Sequence, residues 1–386
     1  MSITLISTPI NPSPAYGEHI WTLDAGALVN ESGFRYICEI FDGTDKIAEL
    51  KAEPHPIHGW GKINSQSVIQ SFMEFNTSFT EPVFSAQDSW KTLAFSFGWE
   101  YEGTRVTGDT TANRTVFNAS PTYLELTNWQ TAQPYNLTGT ASNKFPLTER
   151  RSIRTREDTK QWLYYFTNSH TNVRLLEVRN NADNSLQYID LPVGLRNQDS
   201  GRMTGWRVDK PTVDALFGNN LQSWSVRTIT EGSVATSEWI NFSVKGCNRW
   251  NPFSLYWLNR WGGMDSLPFD GRSVTRIEGS REHYNRVQPR INASGTVDWD
   301  SALHSRRTYH ATSVYRYRLT TDWLLESEQW VLDGLISSPL VWMETENVLY
   351  PVQLRTNSVE IKQGREGVIF AAIEVDRQDN SIRQRA

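Results

Sequence analysis

The chain has 386 residues, of which 38 % are hydrophobic, and this is typical of a globular protein with two or three domains. No apolar run approaches the roughly 20 residues that a membrane-spanning helix needs, so no membrane span is predicted. The net charge of −5 argues against direct binding of nucleic acid through a basic surface, and two cysteines exclude a disulfide framework.

Strand patterns dominate the first third of the chain. Two strand-like runs over residues 35–51 flank an Asp42-Gly43 turn signal, which predicts a hairpin with a loop longer than two residues. Residues 92–99 are a further strand candidate, and residues 65–75 place apolar side chains at helical spacing. These elements predict a β-sandwich-like domain over residues 1–118.

The middle third predicts a second β-sandwich-like domain over residues 119–248. Two further hairpins are expected here, the first around a turn cluster at residues 180–184 and the second around Glu231-Gly232. A short helix is expected after Pro211. The predicted strands are residues 162–167, 173–178, 186–191, 223–230 and 237–244.

Residues 249–386 predict a C-terminal α+β assembly domain. The clearest helical pattern of the chain covers residues 320–335, and Ser337-Ser338-Pro339 ends it. Residues 368–375 are a strand candidate. The predicted fold class is therefore mainly β, with tandem immunoglobulin- or fibronectin-like sandwiches followed by a mixed β domain with one longer helix.

Basic charge is carried by 29 arginines and 9 lysines, and it is unevenly distributed. Residues 249–318 contain 11 arginines against six acidic residues, whereas residues 319–386 contain 11 acidic residues against six basic ones. The two segments either fold against each other within one chain or form a head-to-tail interface between subunits of a ring. The candidate interface residues are Arg249, Arg260, Arg272, Arg276, Arg281, Arg306 and Arg307.

The most distinctive segment is an aromatic block between residues 247 and 271. Gly262-Gly263 within it permits a positive φ or a close approach of two backbones. We interpret the block as structural, an aromatic-pinned strand and turn. Its residues are Trp250, Tyr256, Trp257, Trp261 and Phe269.

Catalytic and metal-binding motifs are missing from the sequence, which has no G-x-S-x-G, P-loop or H-E-x-x-H pattern. His55 and His58 favour a turn packed by Trp60 over a metal site, because no third ligand is near in sequence. Trp299 lies between Asp298 and Asp300, and an aromatic ring beside two carboxylates would suit a sugar site. We predict no enzyme activity and no cofactor.

The run L-Y-W-L-N-R-W-G-G-M-D-S, residues 255–266, resembles a segment of virion structural proteins from tailed phages that infect Bacteroidetes. Further stretches resemble the same family in the same order. The resemblance implies a tail, collar or baseplate component without catalytic residues. The other matching stretches are residues 35–50, 95–101, 144–148, 321–323, 337–341 and 350–352.

The sequence thus predicts a structural subunit of a tailed phage, in its tail, neck or baseplate, that assembles with itself in a ring or sleeve and with other phage structural proteins. Because the first residues lack a signal-peptide pattern, we expect synthesis in the host cytoplasm and a final location in the virion. The alternative is a carbohydrate-binding module of a tail fibre or surface adhesin, with Trp299 as the residue to test. A polysaccharide depolymerase is third.

Overall fold

The structure is a computed structural model, and its chain forms two compact units. The first unit comprises Met1–Gly246 and Leu258–Ser266, and the second comprises Cys247–Trp257 and Leu267–Ala386. The described residues are 2–137, 144–167, 175–192, 202–218, 220–230, 232–245, 253–285, 290–291, 293–298, 306–325, 328–345, 348–359, 368–369 and 371–377.

The first unit begins with a sandwich of a three-stranded and a five-stranded sheet, with strand orders β1-β3-β6 and β2-β9-β8-β4-β5. Alternating side chains of both sheets meet in one core, where the Trp21 ring lies 4.7 Å from that of Phe95. The strands are β1 Thr4–Ser7, β2 Ser13–Pro14, β3 Ile20–Asp24, β4 Arg35–Asp42, β5 Asp45–Ala52, β6 Gly61–Asn64, β7 Val83–Ser85, β8 Trp90–Tyr101 and β9 Thr104–Phe117.

A second sandwich follows, with strand orders β10-β16-β15-β12-β13 and β11-β14-β7. Its separate core contains side chains from both sheets, including Tyr165 and Trp206, whose rings contact edge to face at 5.5 Å. The strands are β10 Ser152–Thr155, β11 Trp162–Thr167, β12 Leu175–Asn180, β13 Leu186–Asp190, β14 Arg202–Arg207, β15 Ser223–Ile229 and β16 Ile240–Val244.

One strand that precedes the predicted boundary at residue 118 belongs to the second sandwich. Strand β7 lies before that boundary in sequence, yet it pairs with β14 of the second sandwich. This pairing is one of the contacts that join residues 1–246 in one unit, although the cores remain separate. The three-domain boundaries themselves stay a prediction.

The second unit is built on a seven-stranded sheet with the order β18-β17-β24-β25-β27-β22-β19. Its core combines side chains of this sheet with the last helix of the chain. The strands are β17 Phe253–Leu258, β18 Met264–Phe269, β19 Val274–Asn285, β20 Arg290–Ile291, β21 Val297–Asp298, β22 Arg306–Thr320, β23 Leu324–Leu325, β24 Val341–Thr345, β25 Val348–Leu354, β26 Val368–Ile369 and β27 Ala372–Arg377.

Helices are few, and no described helix is long and apolar enough to cross a membrane. The predicted mainly β class and its sandwich character are confirmed. The predicted hairpins around residues 43, 182 and 232 are formed by β4–β5, β12–β13 and β15–β16. The α-helices are α1 Gln66–Ser71, α2 Tyr123–Ala132, α3 Lys210–Phe217 and α4 Gln329–Ser337.

Two sequence predictions are corrected. The helix expected over residues 320–335 is shorter, because Thr320 ends strand β22 and helix α4 starts at Gln329. The Thr321 amide donates to the Ala371 carbonyl, so this backbone is used for tertiary contacts instead of a helical turn. The first hairpin has a two-residue loop, since Asp42 pairs directly with Asp45 and Gly43 adopts a φ of +62°.

Candidate assembly surface

The predicted aromatic block is buried wherever the structure describes it. Tyr256, Trp257, Trp261 and Phe269 are each at most 1 % exposed, as the structural interpretation requires. Trp250, the fifth member, lies outside the described residues. The four described rings therefore pack inside the chain and offer no exposed aromatic surface to a partner.

The turn between β17 and β18, residues 258–266, is organised by the buried side chain of Asn259. Its amide oxygen accepts from the backbone amides of Trp261 and Gly263, at 2.9 and 3.1 Å. Its amide nitrogen donates to the Leu147 carbonyl at 2.7 Å. One side chain thus shapes the turn and attaches it to a distant segment of the first unit.

Two glycines allow this turn to approach neighbouring backbone closely. Gly262 has a φ of +82°, and a Cβ built on it would lie 1.9 Å from the Asn118 carbonyl oxygen. A Cβ on Gly263 would lie 2.5 Å from the Leu147 carbonyl oxygen. The predicted role of Gly262-Gly263 is confirmed at both positions, since one glycine meets a positive φ and both meet a close approach.

Arg260 lies beside two acidic residues of the first unit. Its guanidinium nitrogens are 3.5 Å from carboxylate oxygens of Glu125 and of Glu149. Because the side chain is half-buried and these carboxylates are within the same chain, this predicted interface arginine has partners inside the unit. The sequence could not reveal them, since they lie more than a hundred residues away.

The two carboxyl groups at Arg260 differ in protonation. Burial raises the pKa of Glu149 to about 7, and the hydrogen bond with Glu125 adds to this effect, although Arg260 opposes it. Burial also acts to raise the pKa of Glu125, but hydrogen bonds from the backbone and hydroxyl of Thr122 outweigh it and the net shift is downward. The pair therefore holds a proton near neutral pH.

The remaining described candidate arginines lie on or next to strand β19. Arg276 and Arg281 are on the strand and Arg272 precedes it, and all three are exposed. Arg306 and Arg307 lie on β22, opposite Asn285 and Tyr284 in the register. Their side chains are outside the described part of the structure, as is the whole of Arg249.

Among the described residues, strands β19 and β22 extend past the rest of their sheet as a two-stranded ribbon. Strand β27 pairs with β22 over Arg316 to Thr320, whereas residues 306–315 of β22 pair with residues 277–285 of β19. We call residues 277–285 and 306–315 the ribbon. All twelve residues of β19 are exposed, which is unusual for a strand of a folded domain.

Neither face of the ribbon is apolar. On one face Ile277 lies opposite Tyr315, followed by Gly279 opposite Ser313. On the other face Glu278 lies opposite Val314. Ile277 is 62 % exposed, so even the largest aliphatic side chain of β19 is left in water. Such a composition gives the ribbon no hydrophobic side with which to pack on its own unit.

Ion pairs fix the base of the ribbon. The Arg316 guanidinium donates to Asp376 on β27 at 3.0 Å and also contacts Glu278 on β19. Asp376 also accepts a hydrogen bond from a second arginine, Arg355. Here the arginine-rich and acidic segments neutralise each other within one chain, which is the intramolecular interpretation of their opposite charges.

Two other segments were candidate sites in the sequence, the turn at residues 55–60 and Trp299. The rings of His55, His58 and Trp60 form an exposed stack with centroid distances of 5.2 and 4.8 Å, in agreement with the predicted turn. Among the described residues no group of three or more possible metal ligands occurs. Trp299, the proposed sugar platform, lies outside the described residues.

Comparisons with known proteins do not assign a family. No family model and no curated protein matches the chain. Among solved structures it is similar to the polymeric Ig receptor ectodomain of a teleost fish, with 8 % identity over 63 % of this chain and 98 % of that chain and a TM-score of 0.19. It is also similar to the collagen adhesin of S. aureus, with 8 % identity over 69 % and 94 % and a TM-score of 0.11. With TM-scores this low, neither similarity bears on function.

Proposed function

We propose that this protein is a structural subunit of a tailed-phage particle, in the tail, neck or baseplate, and that the ribbon is its assembly arm. The observation that supports the proposal is the exposure of the whole of strand β19 at the edge of its sheet. The proposed location is the virion, and the proposed partners are further copies of the chain and other structural proteins. The proposal assigns no catalytic step and no cofactor.

A ribbon of this kind gains stability from a partner. Two strands alone in water are marginally stable, because their pairing buries little surface and leaves both faces wet. Arginine side chains suit such a contact, since the planar guanidinium forms paired hydrogen bonds and is enriched at protein interfaces. Packing against a neighbouring subunit would order the ribbon and bury its exposed apolar side chains.

The phage assignment is supported by the resemblance of residues 255–266. In the structure these residues form the end of β17, the Asn259 turn and the start of β18, so the resemblance lies in a buried framework. A shared framework fits a family of structural proteins whose outer surfaces differ with their neighbours. The ribbon supplies such a surface.

Quantitative mass spectrometry of purified, nuclease-resistant particles from the source culture tests the proposal. We expect the chain at a fixed copy number that is a multiple of the tail or neck symmetry. Absence from particles, with the chain present in lysate or medium, would contradict the structural role.

A variant without the ribbon then tests the arm. Residues 280–312 are removed, and Gly279 is joined to Ser313, its register partner, through an Asn-Gly turn. We expect a folded protein that is no longer incorporated into particles. Arg105→Ala serves as a control, because this exposed arginine pairs with Glu39 and Glu49 on the first sandwich. Normal incorporation of the ribbonless variant would remove the arm from the proposal.

Carbohydrate binding is the second candidate, and the exposed stack at residues 55–60 favours it. Aromatic faces bind sugar rings, and the Trp60 indole is 42 % exposed. A glycan array with the intact chain and the Trp60→Ala variant tests it, with Trp323→Ala as an exposed tryptophan control. Loss of glycan retention in Trp60→Ala alone supports this candidate, and no retention by the intact chain rejects it.

A further inference from the structure

The free edge of the ribbon has a sequence that is complementary to itself. Strand β19 ends the seven-stranded sheet, so its outer row of backbone N–H and C=O groups has no strand partner among the described residues. An open edge of this kind pairs readily with another strand. At about 3.3 Å per residue, the twelve residues of β19 offer an edge of roughly 40 Å.

We propose that strand β19 of one copy pairs antiparallel with strand β19 of a second copy, with the two-fold axis at Gly279. This inference rests on the proposed assembly role, since it uses the same ribbon, and it names the partner of its edge. The contact is isologous, so it joins copies in pairs and continues one sheet into the other.

Charge and the length of the paired segment together select the register. A two-fold axis normal to the sheet places residues of the same face opposite each other, and an axis at Gly279 sets Arg276 opposite Glu282 of the second copy. The same axis sets Val274 opposite Tyr284, an apolar pair. Each pair occurs twice because of the symmetry, and oppositely charged cross-strand pairs stabilise a sheet.

Neighbouring registers either bring like charges together or pair less of the strand. An axis at Ile277 sets Arg276 opposite Glu278, but it pairs only residues 274–280 of each strand and uses a carboxylate that already contacts Arg316. An axis at Ser280 sets Glu278 opposite Glu282, and an axis at Glu278 sets that residue opposite itself. An axis at Arg281 sets two arginines opposite each other. Like charges in these positions destabilise the pairing. The Gly279 register is free of such contacts and keeps residues 274–284 of both strands paired.

The surroundings of Arg276 also favour a partner carboxylate. Its neighbour on β22 is Arg316, whose charge is taken up by Glu278 and Asp376. Arg276 itself makes no ion pair with any described residue, and the same holds for Glu282. Each of these two side chains therefore gains from the other across the dimer axis.

The centre of the contact is suited to close approach. Gly279 has an ordinary φ, and a Cβ built on it would lie 3.7 Å from the nearest atom, the Thr312 carbonyl oxygen. The glycine is thus not required by its own ribbon. At the two-fold axis each residue faces its own copy, and glycine leaves no pair of identical side chains side by side at that point.

Sedimentation velocity of the full chain, over about 1 to 100 µM, tests the pairing. We expect a concentration-dependent dimer. Arg276→Glu sets like charges opposite each other at two symmetric points and should raise the dimer Kd about tenfold or more. The double variant Arg276→Glu with Glu282→Arg restores the opposite signs and should return the Kd to within about threefold of the original.

Arg281→Glu is the matched control, because it makes the same change of charge on the same strand opposite the uncharged Ile277. It should change the Kd by less than about threefold. A chain that stays monomeric throughout, an Arg281→Glu effect equal to that of Arg276→Glu, or a double variant without rescue would each overturn the proposed contact.

These results are separable from the test of the proposed function. A monomeric chain that is nevertheless present in particles at fixed copy number overturns the edge pairing and leaves the assembly role intact. A dimer with the predicted charge behaviour, absent from particles, supports the pairing and contradicts the phage role. Presence in particles together with rescue supports both.

Discussion

The Asn259 turn, residues 258–266, and strand β19, Val274–Asn285, lie within a few residues of each other in sequence and differ in nearly every contact. In the turn, Trp261 is 1 % exposed and Arg260 has carboxylates beside it. On β19, every side chain is exposed and Arg276 has no ion-pair partner among the described residues. Arginine and aromatic side chains thus serve internal packing in one segment and stay exposed in the other.

The difference arises from what each segment can bury. The turn carries Trp261 next to two glycines, so its backbone can come close enough to neighbours for the ring to pack. Strand β19 carries charged or polar residues on both faces, among them Glu278 on one and Arg281 on the other, and no apolar face exists for burial. An arginine-rich segment with apolar side chains to bury predicts internal packing. An arginine-rich segment without an apolar face predicts an interface.

The largest effect is expected for Trp261→Ala. The Trp261 ring lies 4.1 Å from the Tyr135 ring and 5.7 Å from that of Trp129, so truncation leaves a cavity among aromatic side chains. We expect the first unit to lose about 3–5 kcal/mol of unfolding free energy. Native-state hydrogen exchange with mass spectrometry measures it for each unit. Trp323→Ala, at an exposed tryptophan, should cost under about 1 kcal/mol.

Gly262→Ala is expected to follow. The added Cβ meets the Asn118 carbonyl oxygen at 1.9 Å and the φ is positive, so both overpacking and backbone strain oppose the change. The cost should be about 2–5 kcal/mol, measured by hydrogen exchange of the first unit. Gly279→Ala in the ribbon is the matched control and should stay within about 0.5 kcal/mol. Equal costs would remove the distinction between the two segments.

The pH dependence of the Arg260 cluster is a third test. Because the folded-state pKa of Glu149 is raised to about 7, the native state binds more protons than the unfolded chain between about pH 4.5 and 7. The associated stability is complete below the unfolded pKa and is lost as pH rises through the folded pKa. We expect the first unit to lose on the order of 2 kcal/mol over this range.

Glu149→Gln should remove most of this slope, since glutamine keeps the hydrogen bonding of a protonated carboxyl group but does not titrate. The exposed Glu157→Gln serves as its control and should leave the slope unchanged. Chemical denaturation at a series of pH values gives the slope. If the Glu149→Gln protein keeps the original pH dependence of unfolding free energy, other groups are responsible for it.

The smallest effect is expected for Ile277→Ala in the isolated chain. This side chain is 62 % exposed on the ribbon, and the change should stay within about 0.5 kcal/mol for the dilute protein. Ile373→Ala makes the same truncation at a buried position of the same sheet and should cost about 2–5 kcal/mol. A cost above about 1 kcal/mol for Ile277→Ala would mean that the ribbon is covered within its own chain.

Much of the β framework could be predicted from the sequence because local patterns determine it. Residues 162–167 form strand β11 with the predicted bounds, and the turn signals at Asp42-Gly43 and residues 180–184 mark hairpins that are present. Helix α2 was not predicted. Of its residues Trp129 alone is fully buried, so no apolar periodicity marks it.

The candidate site was predictable in composition but not in placement. The partners of Arg260 are 135 and 111 residues away in sequence, and no local pattern connects them. Arg276 and Arg281 lie on the edge strand of the seven-stranded sheet, and which strand forms that edge is a property of the whole sheet. Long-range pairing therefore decides which of the predicted arginines face solvent.

Strand β7 precedes residue 118 but belongs to the second sandwich, and this has a consequence for the order of synthesis. Strand β7 leaves the ribosome more than a hundred residues before β14, with which it pairs. The amino-terminal sandwich can collapse around its own core during translation, but β7 must wait for residue 207 before its sheet is complete. Truncation at residue 118 would leave that strand without its partner, and truncation at residue 246 would remove Leu258–Ser266, so the first unit should be expressed within the full chain.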